Sequence, residues 1–323
     1  MKIMRFIGIV FALFSAGSPS DTSAQDSGKK YKVYMVSNSH LDTQWRWDVK
    51  ATIDDYLYNT AVQNLALLEK YPHYVFNFEG AVKYEWIKEY YPHLFERIRK
   101  FVADGRWNIS GASFEANDPN MPSSESFIRN ILLAQEFYKK EFGIKSKDMF
   151  LPDCFGFSQV MPTLGHHCGL IGFSTQKLSW RTEPLVGDSK TPFPIGLWEG
   201  VDGARIMVAL EPGRYSWNEF PEGDLSANEE LAESARKSPF GIAYRYYGNK
   251  LANGAGDHGG SALPRSIQLL EEGITNGKGP VQLVSATSSQ LYEDYMPYGN
   301  HPELPVFVGE MPLDVHAPGC YTS

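Results

Sequence analysis

Seven short runs along the chain carry the apolar and β-branched density of buried strands: residues 32–39, 74–79, 107–112, 148–153, 171–176, 205–210 and 281–285. Between them lie longer stretches whose apolar residues recur every three or four positions, clearest over 82–103 and 124–142, as amphipathic helices require. Strands alternating with helices imply parallel strands joined by helical crossovers. The expected fold class is therefore α/β, either a seven-stranded distorted (β/α) barrel or an open parallel sheet. The stretch 213–250 has no clear period and reads as an inserted lid or loop region. No internal repeat and no long low-complexity segment interrupts the pattern. In both architectures ligands bind beyond the carboxyl ends of the strands, so polar residues that follow these runs are the ones to weigh.

Two such segments stand out. His40-Leu41-Asp42-Thr43-Gln44-Trp45 follows the first run, KVYMVSN, and Leu151-Pro152-Asp153-Cys154-Phe155-Gly156-Phe157-Ser158 overlaps the end of the fourth. In an extended segment His40 and Asp42 point to one side, so an imidazole nitrogen and a carboxylate oxygen face a common point. That pair suits a divalent ion such as zinc, and a third carboxylate such as Asp153 fits an open, catalytic site better than a closed, structural one. A lone His-x-Asp is commonly a surface or capping pair; the second motif gives this one weight. His166-His167 resembles a metal pair, but adjacent residues on a helix diverge by about 100°, which favours a structural role.

The motif set resembles the glycoside hydrolase family 38 α-mannosidases. The resemblance rests on His40-Leu41-Asp42-Thr43-x-Trp45, Asn77-Phe78-Glu79, Gly105-Arg106-Trp107, Asp118 with Glu125, and Leu-Pro-Asp153-x-Phe-Gly-Phe-Ser, in the family's order from residue 32 to about 180. It implies a retaining α-mannosidase with zinc held by His40, Asp42 and Asp153, Asp153 also serving as nucleophile. A fourth ligand in the family is a histidine some tens of residues after a Tyr-Thr-Ser segment, and this sequence stops at Tyr321-Thr322-Ser323. The chain thus reads as an N-terminal part, with the later helical-bundle and β-sandwich domains absent; His316 reads as a loop residue rather than a replacement ligand.

The resemblance extends to a glycine-rich loop, Asn253 to Ser261, with Asp257 and His258 at its tip. Its spacing matches neither phosphate-binding pattern. Asp257 is the candidate general acid/base, with a turn-forming role bonded to the loop's own N–H groups as the alternative. Trp45, Glu79, Asp118, Glu125 and His258 are substrate-binding candidates: Trp45 as a stacking wall, the carboxylates as partners of sugar hydroxyls or as groups that orient ligands. Asp118 before Pro119 also reads as a turn, and Glu125 after Ser124 as a residue favouring the positive end of a helix.

Composition adds exclusions. A net charge of −8 and a pI near 5.5 argue against nucleic acid as a partner. The 323 residues, 42% of them hydrophobic, suffice for one large core. Lys2 and Arg5, the apolar run Phe6 to Phe14 and Thr22-Ser23-Ala24 read as an export signal over residues 1–24, leaving 25–323 as the family's N-terminal catalytic domain. The apolar run is too short to span a bilayer, so an exported protein, periplasmic or secreted, is expected. Three cysteines, Cys154, Cys168 and Cys320, cannot all pair, and Cys154 reads as a small buried residue. The expected partners are mannose-containing glycans; the oligomeric state is open. The competing classes are a metal-dependent carbohydrate deacetylase and a noncatalytic glycan-binding fragment.

Overall fold

A computed structural model describes residues 30–179, 191–248, 257–296 and 304–312. The export-signal segment, His316 and Cys320 lie outside the described residues. In chain order the strands are β1 (Tyr31–Asn38), β2 (Phe76–Glu79), β3 (Trp107–Ser110), β4 (Asp148–Phe150), β5 (Gly172–Ser174), β6 (Ile195–Glu199), β7 (Arg205–Ala209), β8 (Ile242–Gly248), β9 (Val281–Ser285) and β10 (Val306–Val308). The helices are α1 (Val49–Ala51), which runs through a π-helical segment into α2 (Tyr58–Lys70), then α3 (Ala81–Tyr90), α4 (Pro92–Ala103), α5 (Ser124–Phe142), α6 (Val160–His167), α7 (Glu229–Arg236), α8 (Pro264–Asn276) and α9 (Gln290–Tyr295). None of the described helices is long and apolar enough to cross a membrane.

Two five-stranded sheets result. One has the order β3-β2-β1-β8, with β9 also on β1, and is wholly parallel. The other has the order β10-β6-β7-β5-β4 and is parallel except at β6–β7. Along β1 the side chains divide by the two-residue period of a strand. Val33 and Met35 join a core shared with α2, α3, α4, α7 and α8, while Tyr34 and Val36 meet Phe150, Met207, Ala209, Tyr244 and Tyr246 from the second sheet and β8. The two sheets therefore enclose a common aromatic interior. Their strand ladders stop at two seams. At one, Ala112 N–H donates to Asp148 O (2.9 Å); at the other, Tyr246 N–H donates to Pro212 O (2.8 Å). This is the expected α/β class, with parallel strands and helical crossovers.

The interior phenols are buried, so each hydroxyl needs an acceptor. Tyr84 donates to Phe78 O, Tyr244 to Ser288 O and Tyr292 to Phe173 O, each at 2.9 Å, and Tyr246 shares a 2.6 Å hydrogen bond with Ser174 Oγ.

All seven expected strands are present. The stretch 82–103 is two helices rather than one, because Pro92 disfavours helical geometry at Tyr91 (φ −133°, ψ 56°). The larger correction concerns 213–250: this segment is no simple lid, since it contains α7 and β8, and β8 pairs with β1 from Lys32↔Ile242 to Asn38↔Gly248. Its pattern, IAYRYYG, hides the strand because apolar residues on both faces erase the alternation. β6 and β10 were likewise not anticipated.

Asp148 sits at the first seam. Its Oδ1 accepts from Gly111 N–H (3.3 Å) and Ser146 Oγ (3.2 Å). Burial pushes its pKa up to about 6, against the opposing effect of hydrogen bonds from Ser288, Gly111 and Ser146. A folded-state value raised above the unfolded one means that the folded chain keeps this proton longer. The associated stability is complete below about pH 4 and is lost as pH rises through about 6, a change of about 3 kcal/mol. Asp148→Asn, which cannot ionise, should remove this decline. Urea midpoints at about pH 4 and about pH 7 should diverge less in the variant than in the wild type; parallel pH profiles would refute the assignment.

Candidate metal centre and active site

The polar residues of interest converge because they follow parallel strands at their carboxyl ends. His40 and Asp42 follow β1, Glu79 ends β2, Glu115 follows β3, Asp153 follows β4, Lys177 follows β5 and Tyr215 follows β7. Asp257 arrives from beyond β8 and is tied to the first loop as a short antiparallel bridge: Asp42 N–H donates to Asp257 O (3.0 Å), and Gly259 N–H to His40 O (2.9 Å). The tie needs Asp257 in left-handed geometry (φ 73°), which aspartate tolerates better than most residues.

His40 is buried, and its Nδ1–H donates to Glu79 Oε1 at 2.8 Å. Because the carboxylate only accepts, this bond turns Nε2 toward the site. Nε2 lies 3.2 Å from Asp42 Oδ1 and 3.8 Å from Asp153 Oδ2. Donor atoms of His40, Asp42 and Asp257 all fall within 4.8 Å of one another. Ligands about 2.0–2.2 Å from a tetrahedral ion stand about 3.4 Å apart, so the spacing and the nitrogen–oxygen donor set both fit a divalent cation.

The electrostatics are those of a crowded, partly dry site. Burial opposes a charge on His40, but hydrogen bonds to Asp42 and Glu79 and the charges of Asp42 and Asp153 outweigh it, holding the imidazole pKa well above its ordinary value. Asp42 is also opposed by burial, yet His40, Lys83 and Lys177 hold it below the usual carboxylate range. For Asp153 burial wins over His40 and Lys177, and its pKa is raised, with Asp257 adding to the effect. Lys177 is buried with its ammonium 2.6 Å from Asp153 Oδ1, and burial lowers its pKa despite that partner. Tyr215 donates its hydroxyl to Asp257 Oδ1, and its ring lies 5.3 Å from that of His40.

The sequence candidates are not all brought together. His40, Asp42, Asp153 and Asp257 converge. Glu79 lies behind the imidazole at 1% exposure, in a position to orient His40 rather than to meet a sugar. Trp45 is 56% exposed, with the Arg46 guanidinium 4.1 Å from its ring. His258 stacks on Trp47 at 4.2 Å, with Tyr56 edge-on at 4.8 Å. Asp118 accepts from Asn120 N–H at 2.7 Å, closing its own turn. Glu125 stands apart, exposed in the first turn of α5 and paired with Arg129 at 2.8 Å. The Cys154 thiol stays protonated, raised by burial and by the charges of Glu79, Asp153 and Asp118. His167 is exposed and paired with Asp202 at 2.8 Å.

Sequence reading missed Lys177, Tyr215, Glu115 and Lys83. Lys177 was within reach of the rule already applied, since it follows an expected strand by one residue. Lys83 occupies a core-facing position of α3 between buried Ala81 and Tyr84, and a lysine on an apolar face is itself a signal.

Comparisons with known proteins identify the family. The model of the glycosyl hydrolases family 38 N-terminal domain matches residues 30–310. Alpha-mannosidase G of Dictyostelium discoideum is 31% identical over 301 residues, covering 93% of this chain and 26% of that protein. Alpha-mannosidase 2C1 of Homo sapiens is 31% identical over 296 residues, covering 91% and 26%. The chain thus spans about a quarter of the length of these relatives. The crystal structure of an alpha-mannosidase from Enterococcus faecalis V583 superposes with a TM-score of 0.68 at 22% identity, over 87% of this chain and 31% of that one, a likeness of fold.

Removing Lys177 takes the directly bonded ammonium from the part-buried Asp153 carboxylate and leaves it the more distant His40, at 3.8 Å, as a positive neighbour. Lys177→Met should therefore destabilise the metal-free protein by about 3 kcal/mol or more, read as a fall in the urea midpoint. An added divalent ion should narrow the gap to wild type by restoring positive charge. Equal midpoints without metal would show that this ion pair contributes nothing.

Proposed function

Because the chain belongs to glycosyl hydrolase family 38, we propose that it carries the catalytic centre of a zinc-dependent retaining α-mannosidase, acting on terminal α-mannose of glycans outside the cytoplasm. The observation that carries the reading is the donor set at the strand ends: His40 Nε2 with Asp42 Oδ1 at 3.2 Å and Asp153 Oδ2 at 3.8 Å. In this reading His40, Asp42 and Asp153 hold the ion. A bound zinc supplies Lewis-acid charge that grips sugar hydroxyls and keeps its carboxylate ligands ionised.

The remaining steps belong to the protein. An Asp153 carboxylate oxygen bonds to the anomeric carbon as the glycosidic C–O bond breaks, and the departing oxygen takes a proton. Water then attacks the same carbon, gives up a proton, and frees Asp153, so that two inversions leave the configuration retained. Glu79 holds the His40 ring in register throughout, and Lys177 fixes one Asp153 oxygen while the other faces the donor set. Trp45 offers an exposed ring face to the sugar.

Two roles fit Asp257. The glycine-rich loop suggested the acid/base that gives and removes these protons; its place within 4.8 Å of the His40 and Asp42 donor atoms, with Tyr215 donating to it, favours a further ligand. Metal content separates them. Asp257→Asn that keeps its zinc and loses turnover identifies the acid/base, whereas a variant that loses zinc identifies the ligand.

The test of the whole reading is aryl α-mannoside hydrolysis with zinc and with chelator, followed by trapping with a 2-fluoro mannosyl donor. Zinc-loaded wild type should turn over and carry a mannosyl adduct on Asp153. Asp153→Asn should form no adduct and lose about three orders of magnitude or more in kcat. A zinc-loaded protein that releases acetate from acetylated glycans while Asp153 stays unlabelled would make it a deacetylase; one that holds glycan and does neither would be a binding module.

A further inference from the structure

A second group of charges lies beside the donor set. Lys83 is 1% exposed, a rare condition for a lysine, whose charge is costly to remove from water. Its ammonium is 3.1 Å from Glu115 Oε1. Glu115 Oε1 also accepts from Ala116 N–H at 2.8 Å, while Glu115 Oε2 accepts from the Thr43 hydroxyl. Thr43 is the residue after Asp42, and its carbonyl accepts from Thr52 Oγ1 at 2.6 Å. Gly80, at φ +88°, follows Glu79, and a Cβ there would stand 2.9 Å from Lys83 Nζ, so the lysine folds back over the turn that carries His40's orienting carboxylate.

Three loops from three adjacent strand ends are thus linked around one buried ammonium: the loop after β3 meets it through Glu115, the loop after β1 is tied to Glu115 through Thr43, and the β2–α3 turn lies beside it at Gly80. Lys83 also attracts Glu79 and Asp42 through space, beside its direct partner Glu115. Packing alone does not call for a charge here, because an uncharged chain of the same length would fill the volume without the desolvation cost.

We propose that Lys83, Glu115 and Thr43 form a positioning clamp that sets the loop bearing His40 and Asp42 at the spacing a divalent ion requires. The inference rests on the metal reading given above. The clamp residues contact neither ion nor substrate; they act through the loop, as outer groups do when they fix the direction of metal ligands.

The experiment uses Thr43→Val, Glu115→Gln and Lys83→Met, with zinc affinity measured by competition against a chromophoric chelator and thermal midpoints measured on the metal-free proteins. Thr43→Val and Glu115→Gln change part-exposed groups and keep the test open should Lys83→Met fail to fold. Each folded variant should bind zinc about 10–100-fold more weakly than wild type. The Thr43→Val/Glu115→Gln double variant should be no weaker than its weaker parent, since the two act through one chain of contacts. A purely structural role would lower thermal midpoints and leave the zinc affinity of the folded protein unchanged; that result overturns the clamp. Wild type that takes up no zinc overturns the metal reading and the clamp with it, an outcome distinct from unchanged affinity among the variants.

Discussion

The structure depends on the pairing of β1 along both edges. One edge is held by β8 through seven parallel pairs, and the other is shared by β9 over its first half and β2 at its end. With strands locked in parallel on both sides, their carboxyl ends fall at one level, and the loops leaving them must meet. That constraint brings His40 and Glu79 together, and Asp153 joins them from the second sheet, where β4 abuts β3 at the Ala112–Asp148 seam, 113 residues after His40. It also makes register consequential: a one-residue slip would turn Val33 and Met35 inward and Tyr34 and Val36 outward, and would carry His40 away from Glu79.

Within that frame the site is a problem of charge. Five carboxylates, from Asp42, Glu79, Glu115, Asp153 and Asp257, gather around one imidazole and two buried lysines. The lysines are divided: Lys177 meets Asp153, and Lys83 meets Glu115. A mostly acidic cluster around a nitrogen donor is what a divalent cation stabilises and what a monovalent charge offsets only in part.

Much of the fold was legible because strand and helix periods differ. Seven of the ten described strands were found, and His40, Asp42 and Asp153, which the structure brings together, were singled out with them because they follow such strands directly. What escaped detection did so for identifiable reasons. β8 is buried on both faces, and Tyr244, Tyr246 and Tyr247 in succession give neither alternation nor a helical stripe. Dismissing its segment also hid Tyr215. Lys83 and Lys177 escaped because a lysine is read as a solvated residue, and only tertiary structure reveals the carboxylates that make its burial tolerable. The convergence of Asp257 with Asp42 depends on a backbone bridge between loops more than 200 residues apart, which no local pattern encodes.

The tyrosines of the interior carry a consequence of their own. Burial holds the phenols of Tyr74, Tyr138, Tyr244, Tyr246 and Tyr292 well above their ordinary ionisation range. In the unfolded chain the same groups ionise near pH 10. Their contribution to stability is therefore complete below that value and drains away above it, as hydroxide draws phenolate from the unfolded state. The rings that fill the cores on both faces of the first sheet thus also set an alkaline ceiling. Its approach is written in the ultraviolet spectrum: these phenols should appear as phenolate together, when the interior opens, and not one by one.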